Sequence, residues 1–338
     1  MRHLRPVRLA TDQRGFALLA VTLVLALLGV VVTELAFSMR LEAAMVRSYK
    51  EAILARHLAE AGMQQAIREV LSDSTVQGLD EDGQLVFYQV AQSGATPKAL
   101  PKLPRSHVQL GPGEFSYRIT DEEARVNLNG VQRGLFDKLL TALDVDKQER
   151  DIIIDSVEDW KDANEIHRMN GAESDYYLQL PVPYRSRNSA LQDIAELLQI
   201  KGITPDLYYG HEDRPGLVDL VTVRGRGTIN INTAPKLVLQ AAGLADAEID
   251  DTLQARVKNP YGLVPGTRTA RGAVRFAVGS ITFRIEAEGV IAGEPRARLL
   301  AIVQRTVGPQ TGSAPTLSVF TWRPLPPRLP AKEGDTKG

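Results

Sequence analysis

The chain has 338 residues, a length that can fold around one large core or two smaller ones. With a formal net charge of −1, 43% hydrophobic and 24% charged residues, it has no general attraction to nucleic acid or to anionic membrane surfaces. The absence of cysteine excludes disulfide bonds, thiolate zinc sites and cysteine nucleophiles, and the five histidines are too widely spaced to suggest a histidine-rich metal site.

The N-terminal segment predicts a helix that crosses a membrane. Residues 1–15 contain four arginines and one aspartate, and residues 16–33 contain no charged side chain. An uncharged run of that length is about what a helix needs to span a bilayer core. Because cytoplasmic flanks carry the excess of arginine, we expect residues 1–15 to stay in the cytoplasm and the rest of the chain to cross.

Two simpler interpretations of this segment compete. A secretory signal peptide would have a shorter apolar core and a small-residue cleavage site, for which Leu35-Ala36 is poor. A simple signal anchor explains the charges and the length, but not the amphipathic pattern that continues from Glu34 to about Leu71 with a single glycine, Gly62. The pattern instead predicts one continuous helix of about 55 residues, about 80 Å long.

Gly15-Phe16, at the start of this helix, resembles the N-terminus of type IV pilin-like proteins. The resemblance implies that a prepilin peptidase cleaves between Gly15 and Phe16 on the cytoplasmic side and methylates the new N-terminal Phe16. Most of that family carry a glutamate as the fifth residue after the cut, to pair with the N-terminal amine of the subunit ahead, whereas this chain has Ala20. A carboxylate in the bilayer costs about 2.5–3.5 kcal/mol and needs such a purpose. Ala20 therefore predicts a subunit with none ahead of it, at a filament tip.

Beyond the long helix, both ends of the remaining chain predict β structure. Residues 92–105 are rich in proline and glycine and predict a loop, and "GEFSYRIT" alternates apolar and polar residues as a strand does. Near the C-terminus, "SITFRIEAEGVI" and "PRARLLAIVQRT" predict a hairpin turning at residues 292–294. "LSVFTWRPLP" predicts an edge strand before a disordered tail.

Residues 125–272, between these strands, predict a helical insertion with an internal repeat. Two helical pairs, within 134–160 and 234–260, are each preceded by a strand-like piece, "RVNLN" and "TININ". The helical turns in "ELLQIKGIT" and "LQAAGLADAEI" loosely resemble helix-hairpin-helix units that bind DNA phosphates. That mode needs surrounding cations, but residues 246–251 contain four acids and only Lys201 and Lys236 lie close by. We therefore predict a packing role for these helices and no nucleic-acid partner.

Residues 156–177 concentrate acids around a glycine-containing loop and predict a candidate metal site. Its candidate ligands are Asp159, Asp162, Asn164, Glu173 and Asp175. Calcium takes about six to eight oxygen ligands from flexible loops, although the spacing here is not that of an EF-hand. The alternative stays open that these acids form a solvated helix end, capping N–H groups or pairing with Lys161 and Arg168.

Catalysis by the same acids is not predicted. Paired carboxylates hydrolyse glycosides, but the nearby aromatic residues offer a poor sugar platform, since Trp160 is expected in the core. The sequence also contains no G-x-S-x-G, H-E-x-x-H or phosphate-loop motif. We therefore expect no enzyme.

Several segments together resemble one family, the minor pseudopilin K family of type II secretion systems, from about residue 14 to about residue 323. They are Gly15-Phe16 without the fifth-position acid, "DEEARVNLN", "VEDWKDAN", "GAESDYYLQLPVPYRSRNSALQDIAELLQIKGI", "INTAPKLVLQAAGL" and "FRIEAEGVIAGEPRARLLAIVQR". The resemblance implies an α+β, pilin-like fold, in which a long N-terminal helix packs on an antiparallel sheet, with a large inserted α-helical domain. It also implies calcium in the insertion, where Asn164 replaces an acid often found in the family.

The implied organisation follows the family. It comprises a leader (1–15), the transmembrane half of the helix (16–36), a pilin-like domain in two parts (37–124 and 273–323), the insertion (125–272) and a disordered tail (324–338). The implied role is non-catalytic: a subunit at the tip of a periplasmic pseudopilus, anchored by a single pass in the inner membrane of a Gram-negative bacterium. There it would initiate or cap assembly with minor pseudopilins I and J during export of folded proteins. Prepilin peptidase, the secretin and secreted cargo are further implied partners. The alternative is a generic signal-anchored periplasmic protein whose insertion recognises another partner.

Overall fold

The computed structural model describes residues 13–91, 95–211, 213–265, 274–306 and 314–326, with the backbone alone at 13–15. Its helices are α1 (Gln13–Val70), α2 (Arg133–Ala142), α3 (Lys147–Lys161), α4 (Ser174–Tyr177), α5 (Pro205–Tyr209), α6 (Leu217–Leu220), α7 (Lys236–Ala241) and α8 (Asp246–Lys258), with 3-10 helices at Glu122–Ala124 and Ile194–Gln199. Its strands are β1 (Val76–Leu79), β2 (Leu85–Gln89), β3 (Lys98–Ala99), β4 (Val108–Leu110), β5 (Gly113–Asp121), β6 (Val126–Asn127), β7 (Gly210–His211), β8 (Arg214–Pro215), β9 (Val221–Thr222), β10 (Ile229–Asn230), β11 (Phe276–Ala277), β12 (Thr282–Ile291), β13 (Glu294–Thr306) and β14 (Thr316–Leu325). The chain divides into two compact units, one ending at Leu54 and the other beginning at Ala55.

Helix α1 confirms the predicted long helix, with 58 residues. Its most apolar window has a mean hydropathy of 2.8, so the helix is long and apolar enough to cross a membrane. In the first unit, every large apolar side chain from Phe16 to Ile53 is exposed. Residues 1–12 of the predicted leader lie outside the described residues.

In the second unit, the last part of α1 carries a narrow buried stripe. Ala55, Ala59, Met63, Ala66 and Val70 recur every three or four residues, and each is 0% exposed. This is the spacing of one helix face, and its small side chains permit a close approach to the neighbouring sheet.

The sheet next to this stripe has five antiparallel strands in the order β14-β13-β12-β5-β4. Gly289 on β12 lies so close to α1 that a Cβ atom there would be 1.8 Å from the carbonyl oxygen of Ala55. The predicted strand β5, the β12–β13 hairpin and the edge strand β14 are confirmed. Ala292 and Gly293 turn the hairpin with positive φ angles of 54° and 80°.

Two details of the β structure differ from the prediction. β14 extends through Pro324 to Leu325, within the segment predicted as an edge strand but beyond residue 323, where the pilin-like domain was expected to end; an edge strand tolerates a proline that lacks an N–H donor. Within the expected loop at 92–105, β3 pairs with β2, so that β1, β2 and β3 form a small sheet. The sequence of residues 92–105 has no alternation of apolar and polar residues that would have predicted this pairing. Residues 92–94 and 327–338 lie outside the described residues.

The helical region between β5 and β12 has a core of its own among the described residues. Its buried cluster runs from Val126 to Ile249 and includes Phe136 and Tyr177. Trp160 belongs to this cluster and is 2% exposed, which confirms its predicted place in the core. The helices therefore pack mainly on one another, as their apolar spacing predicted.

The two segments of the predicted internal repeat contain matching asparagine clamps. In the first copy, Asn129 donates its side-chain N–H groups to the carbonyls of Leu191 and Val223, both at 2.9 Å, and accepts the Leu191 N–H at 2.9 Å. In the second copy, Asn232 donates to the carbonyls of Tyr261 (3.0 Å) and Val278 (3.3 Å) and accepts the Tyr261 N–H at 2.8 Å. Each asparagine thus joins two distant loops to the start of its helical pair.

The two copies differ in how the chain reaches the clamp. In the second copy only Asn259 and Pro260 separate α8 from Tyr261, whereas residues 162–190 separate α3 from Leu191 in the first. We call residues 162–190 the acidic segment. The second copy thus closes its clamp without such a segment.

The segment "DEEARVNLN" connects the sheet to this helical region through buried acids. Glu122 is 0% exposed and bonds to Arg284 (2.7 Å) and Arg125 (2.9 Å), and Glu123 bonds to Arg226 (2.8 Å). Asp121 accepts hydrogen bonds from Asn230, Thr233 and Ser280, and burial raises its pKa to about 6. These contacts join residues far apart in sequence and fix the insertion to β5 and β12.

Candidate metal centre

Helix α3 presents its carboxylates on one face, and the acidic segment returns to that face. Asp155, Glu158, Asp159 and Asp162 are spaced three or four residues apart, which places their side chains together. One oxygen each from Asp159, Asp162 and Glu173 lies within 4.8 Å of the other two. We call these three residues the carboxylate cluster. The structure therefore brings together three of the five candidate ligands.

Glu173 lacks the partners that a buried carboxylate normally has. Glu173 is 1% exposed, and neither its Oε1 nor its Oε2 has a hydrogen-bond partner among the described residues. Burial raises its pKa to about 7; the nearby Ser186 hydroxyl offsets part of the rise, and repulsion from Asp159, Asp162 and Glu165 adds to it. An unpaired buried polar group costs about 1–3 kcal/mol, so this position favours a cation.

Asp159 and Asp162 already have a cationic partner. The Nη1 atom of Arg168 lies 2.5 Å from Asp159 Oδ1 and 2.7 Å from Asp162 Oδ2, and the backbone N–H of Arg168 also donates to Asp159. The predicted pairing with Arg168 is thus observed. Lys161, the other predicted cation, instead donates to the carbonyl of Leu128 at 2.6 Å, because α3 ends beside the first clamp.

Asn164 and Asp175 lie outside the carboxylate cluster. Asn164 is exposed and donates to Asp162 Oδ1 at 2.7 Å, so it orients a cluster member. Asp175 is exposed in the first turn of α4, and its carboxylate accepts the Tyr176 N–H at 2.8 Å.

Two residues outside the predicted set hold the acidic segment in place. Exposed Glu165 accepts hydrogen bonds from the N–H (3.2 Å) and hydroxyl (3.0 Å) of Ser174, next to Glu173. Gly171 brings the backbone against the cluster, since a Cβ there would be 1.8 Å from Asp159 Oδ2. Nothing in the sequence predicts the contacts of Glu165. Gly171 could have been noticed, because a glycine between the acidic helix α3 and Glu173 indicates a close approach of the backbone.

The donor set of the cluster fits a hard divalent cation. Three carboxylates supply up to about six oxygen atoms, in the range that calcium takes, and the cluster contains no nitrogen or sulfur ligand that would favour zinc. Asp159, Asp162 and Glu173 would hold the ion, and its charge would satisfy the unpaired Glu173.

The candidate processing site and the candidate assembly surface lie on α1. Gly15 and Phe16 fall within the helix, and Phe16 is 79% exposed. The helix remains apolar beyond the first uncharged run: Phe37, Leu41 and Tyr49 are 69%, 52% and 71% exposed. Such a stripe outside a bilayer core is typical of a surface that packs against other helices.

Known proteins are similar to this chain in sequence and in fold. Residues 119–210 match the family model described as "Type II secretion system (T2SS), protein K". The type II secretion system protein K of Pectobacterium carotovorum subsp. carotovorum is 34% identical over 111 residues, which cover 28% of this chain and about a third (34%) of that protein. The protein of the same description from Pseudomonas aeruginosa is 27% identical over 321 residues, covering 87% of this chain and 89% of that protein.

A solved structure shares the fold. It is described as the crystal structure of the GspK-GspI-GspJ complex from the type 2 secretion system of enterotoxigenic Escherichia coli. The matched chain has a TM-score of 0.57 and 17% identity, and the match covers 84% of this chain and 99% of that one. The likeness confirms the α+β class, with a long N-terminal helix, antiparallel sheet and further helices. The matched helical region, the near-full-length relative and this shared fold together make the chain similar to the type II secretion system protein K family.

Proposed function

We propose that this protein is the tip subunit of a type II secretion pseudopilus, where it initiates or caps assembly with minor pseudopilins I and J during export of folded proteins. The observation that carries the proposal is the helical region inserted between β5 and β12, with its own core. A body of that size would collide with neighbours stacked along a filament, but it has room at the end. The complex of the similar chain with GspI and GspJ supports the same partners.

The role is structural and requires no catalysis. Helix α1 would anchor the subunit by a single pass in the inner membrane, with the sheet and the helical region in the periplasm. Prepilin peptidase would cut between Gly15 and Phe16 and methylate Phe16. Ala20 supports the tip position, because a subunit with none ahead has no amine to neutralise in the bilayer.

Calcium is the cofactor that we propose for the carboxylate cluster. The unpaired, buried Glu173 beside Asp159 and Asp162 supports it. The metal would fasten the acidic segment to α3, since Glu173 belongs to the segment and Asp159 to the helix. Such an ordered segment could serve as a contact for the secretin or for secreted cargo.

Co-purification tests the tip proposal. The full-length chain, expressed with minor pseudopilins I and J and extracted in detergent, should elute with both in one complex. Replacing Leu41 and Tyr49 by aspartate should abolish the complex, because it places charges on the exposed apolar part of α1. The matched control, Arg118→Gln on the exposed side of β5, should leave the complex intact. Elution of the wild-type chain alone would contradict the proposal and favour the signal-anchored alternative.

A further inference from the structure

Two arginines share the acidic face of α3, and only one reaches the carboxylate cluster. Arg133 lies 2.6 Å from Asp155 and 3.3 Å from Glu158. Arg168 also contacts Glu158, through Nε at 3.0 Å, and then extends Nη1 to the cluster. The two guanidinium groups therefore have separate tasks: Arg133 neutralises the middle of the helix, and Arg168 neutralises its end.

The guanidinium of Arg168 fills the place of a cation incompletely. A single nitrogen, Nη1, bonds to both Asp159 and Asp162, while Glu173 has no hydrogen-bond partner in the part of the chain that the structure describes. A planar guanidinium directs its donors within one plane, whereas a metal ion accepts oxygens from all sides. The arrangement leaves one buried carboxylate that a divalent ion would pair and that Arg168 does not.

We propose that Arg168 is an internal cation that competes with calcium for the carboxylate cluster, so that metal binding displaces its guanidinium. This inference rests on the proposed calcium function of the same cluster. The Arg168 side chain is 38% exposed, so it can leave toward solvent without crossing the core. Arg168 and Glu173 both lie in the acidic segment. When calcium displaces Arg168, the segment would lose its contact to α3 through Arg168 and Asp159 and gain one through Glu173, the metal and Asp159.

The competition sets the apparent affinity for the metal. A guanidinium tethered a few residues from Asp162 is present at high effective concentration, and calcium must displace it each time it binds. The apparent dissociation constant for calcium then equals the intrinsic one divided by the fraction of metal-free molecules in which Arg168 has left the carboxylate cluster. Removing Arg168 should therefore tighten binding, although it removes a favourable contact of the metal-free protein.

Calorimetric titration of two matched variants tests the competition. Full-length wild type, Arg168→Gln and Arg133→Gln, purified in detergent and freed of metal by a chelator that is then removed, are each titrated with calcium chloride. Arg168→Gln should bind calcium about tenfold more tightly than wild type, because the competitor is gone. Arg133→Gln removes the same charge from the same helix face without touching the cluster, and should change the affinity by less than about threefold, through weaker, screened electrostatics alone.

Chemical labelling of the wild type tests the displacement without any substitution. Phenylglyoxal modifies accessible guanidinium groups, and mass spectrometry reports the extent at each arginine. Added calcium should increase modification of Arg168 several-fold and leave Arg133 unchanged. This measurement decides the matter even if a variant fails to fold.

The outcomes separate the two proposals. Calcium binding by the wild type, with no gain in Arg168→Gln and no change in labelling, would overturn the exchange and leave the calcium site standing. Binding by neither protein would overturn the calcium function and the exchange together. Binding by Arg168→Gln alone would support the competition and contradict a calcium-loaded wild type.

Discussion

Glu122 and Glu173 are both buried glutamates, but their surroundings give them opposite properties. Burial would raise the pKa of Glu122, yet Arg125 and Arg284 outweigh it and lower the pKa. Among the described residues Glu173 has no hydrogen-bond partner, and its pKa rises to about 7. A paired buried acid holds a fold together, whereas an unpaired one beside other acids is a candidate ligand.

Replacing Glu173 tests this contrast. At pH 8, above its pKa of about 7, Glu173 is ionised, so Glu173→Gln removes an unpaired buried charge. In chelator, the variant should melt at a higher temperature than wild type, by about 2–4 °C for each kcal/mol relieved. Added calcium should raise the melting temperature of the wild type but not that of the variant, because only the wild type keeps three carboxylates. Thermal unfolding of the full-length protein in detergent measures both effects.

Asp175→Asn is the control, since Asp175 is an exposed acid in the same segment outside the cluster. It should keep the wild-type response to calcium. A full calcium response in Glu173→Gln, or a lower melting temperature in chelator, would contradict a role for Glu173 as a metal ligand.

At the scale of elements, the end of α1 is completed by a residue from the sheet. The last carbonyls of a helix have no partner within it, and α1 ends beside β13. Arg305 on β13 is 7% exposed and donates to the carbonyl of Val70, the last residue of α1 (3.4 Å), and just beyond the helix to the carbonyls of Ser72 (2.7 Å) and Ser74 (2.5 Å). A cation is also favourable at this end of the helix dipole.

Arg305→Met should therefore destabilise the second unit. It removes this donor from the buried carbonyls of Val70 and Ser74, each at a cost of about 1–3 kcal/mol, and should lower the melting temperature by about 6 °C or more. The same thermal unfolding in detergent measures it. Arg118→Met replaces an exposed arginine on strand β5 of the same sheet and should change the melting temperature by about 2 °C at most. Equal effects of the two substitutions would argue against a capping role for Arg305.

At the scale of the whole molecule, the proposed cleavage between Gly15 and Phe16 would make Phe16 the first residue of the long helix. We expect co-expression with an active prepilin peptidase to yield a chain that begins with N-methylated Phe16, as read by mass spectrometry of the intact protein. Gly15→Val should retain residues 1–15, because the peptidase cuts after glycine. Ala20→Glu should still be cleaved, since the pilin-like pattern normally carries a glutamate there. An uncleaved wild-type chain beside a cleaved reference pilin would exclude the pilin-like assignment.

The elements that could be predicted are those whose signal is local. The apolar run of α1, the alternation in β5 and the hairpin of β12 and β13 each follow from neighbouring residues, and each is confirmed. The short strand β3 was missed because its pairing depends on the main chain of β2 rather than on its own side chains. The sequence indicated the candidate site as a concentration of acids, but local spacing could not show which of those acids lie close together.

By itself the sequence determined the long helix and the absence of thiol chemistry, and it predicted a helical insertion with an internal repeat, because periodicity, motif similarity and composition are properties of the chain alone. Only the tertiary structure decided which acids meet. The return of the acidic segment onto α3 buries Glu173 beside Asp159 and Asp162, exposes Asp175 and sets Arg168 between the two aspartates. Burial and partners depend on contacts between residues distant in sequence, and those contacts separate a candidate ligand from a solvated acid.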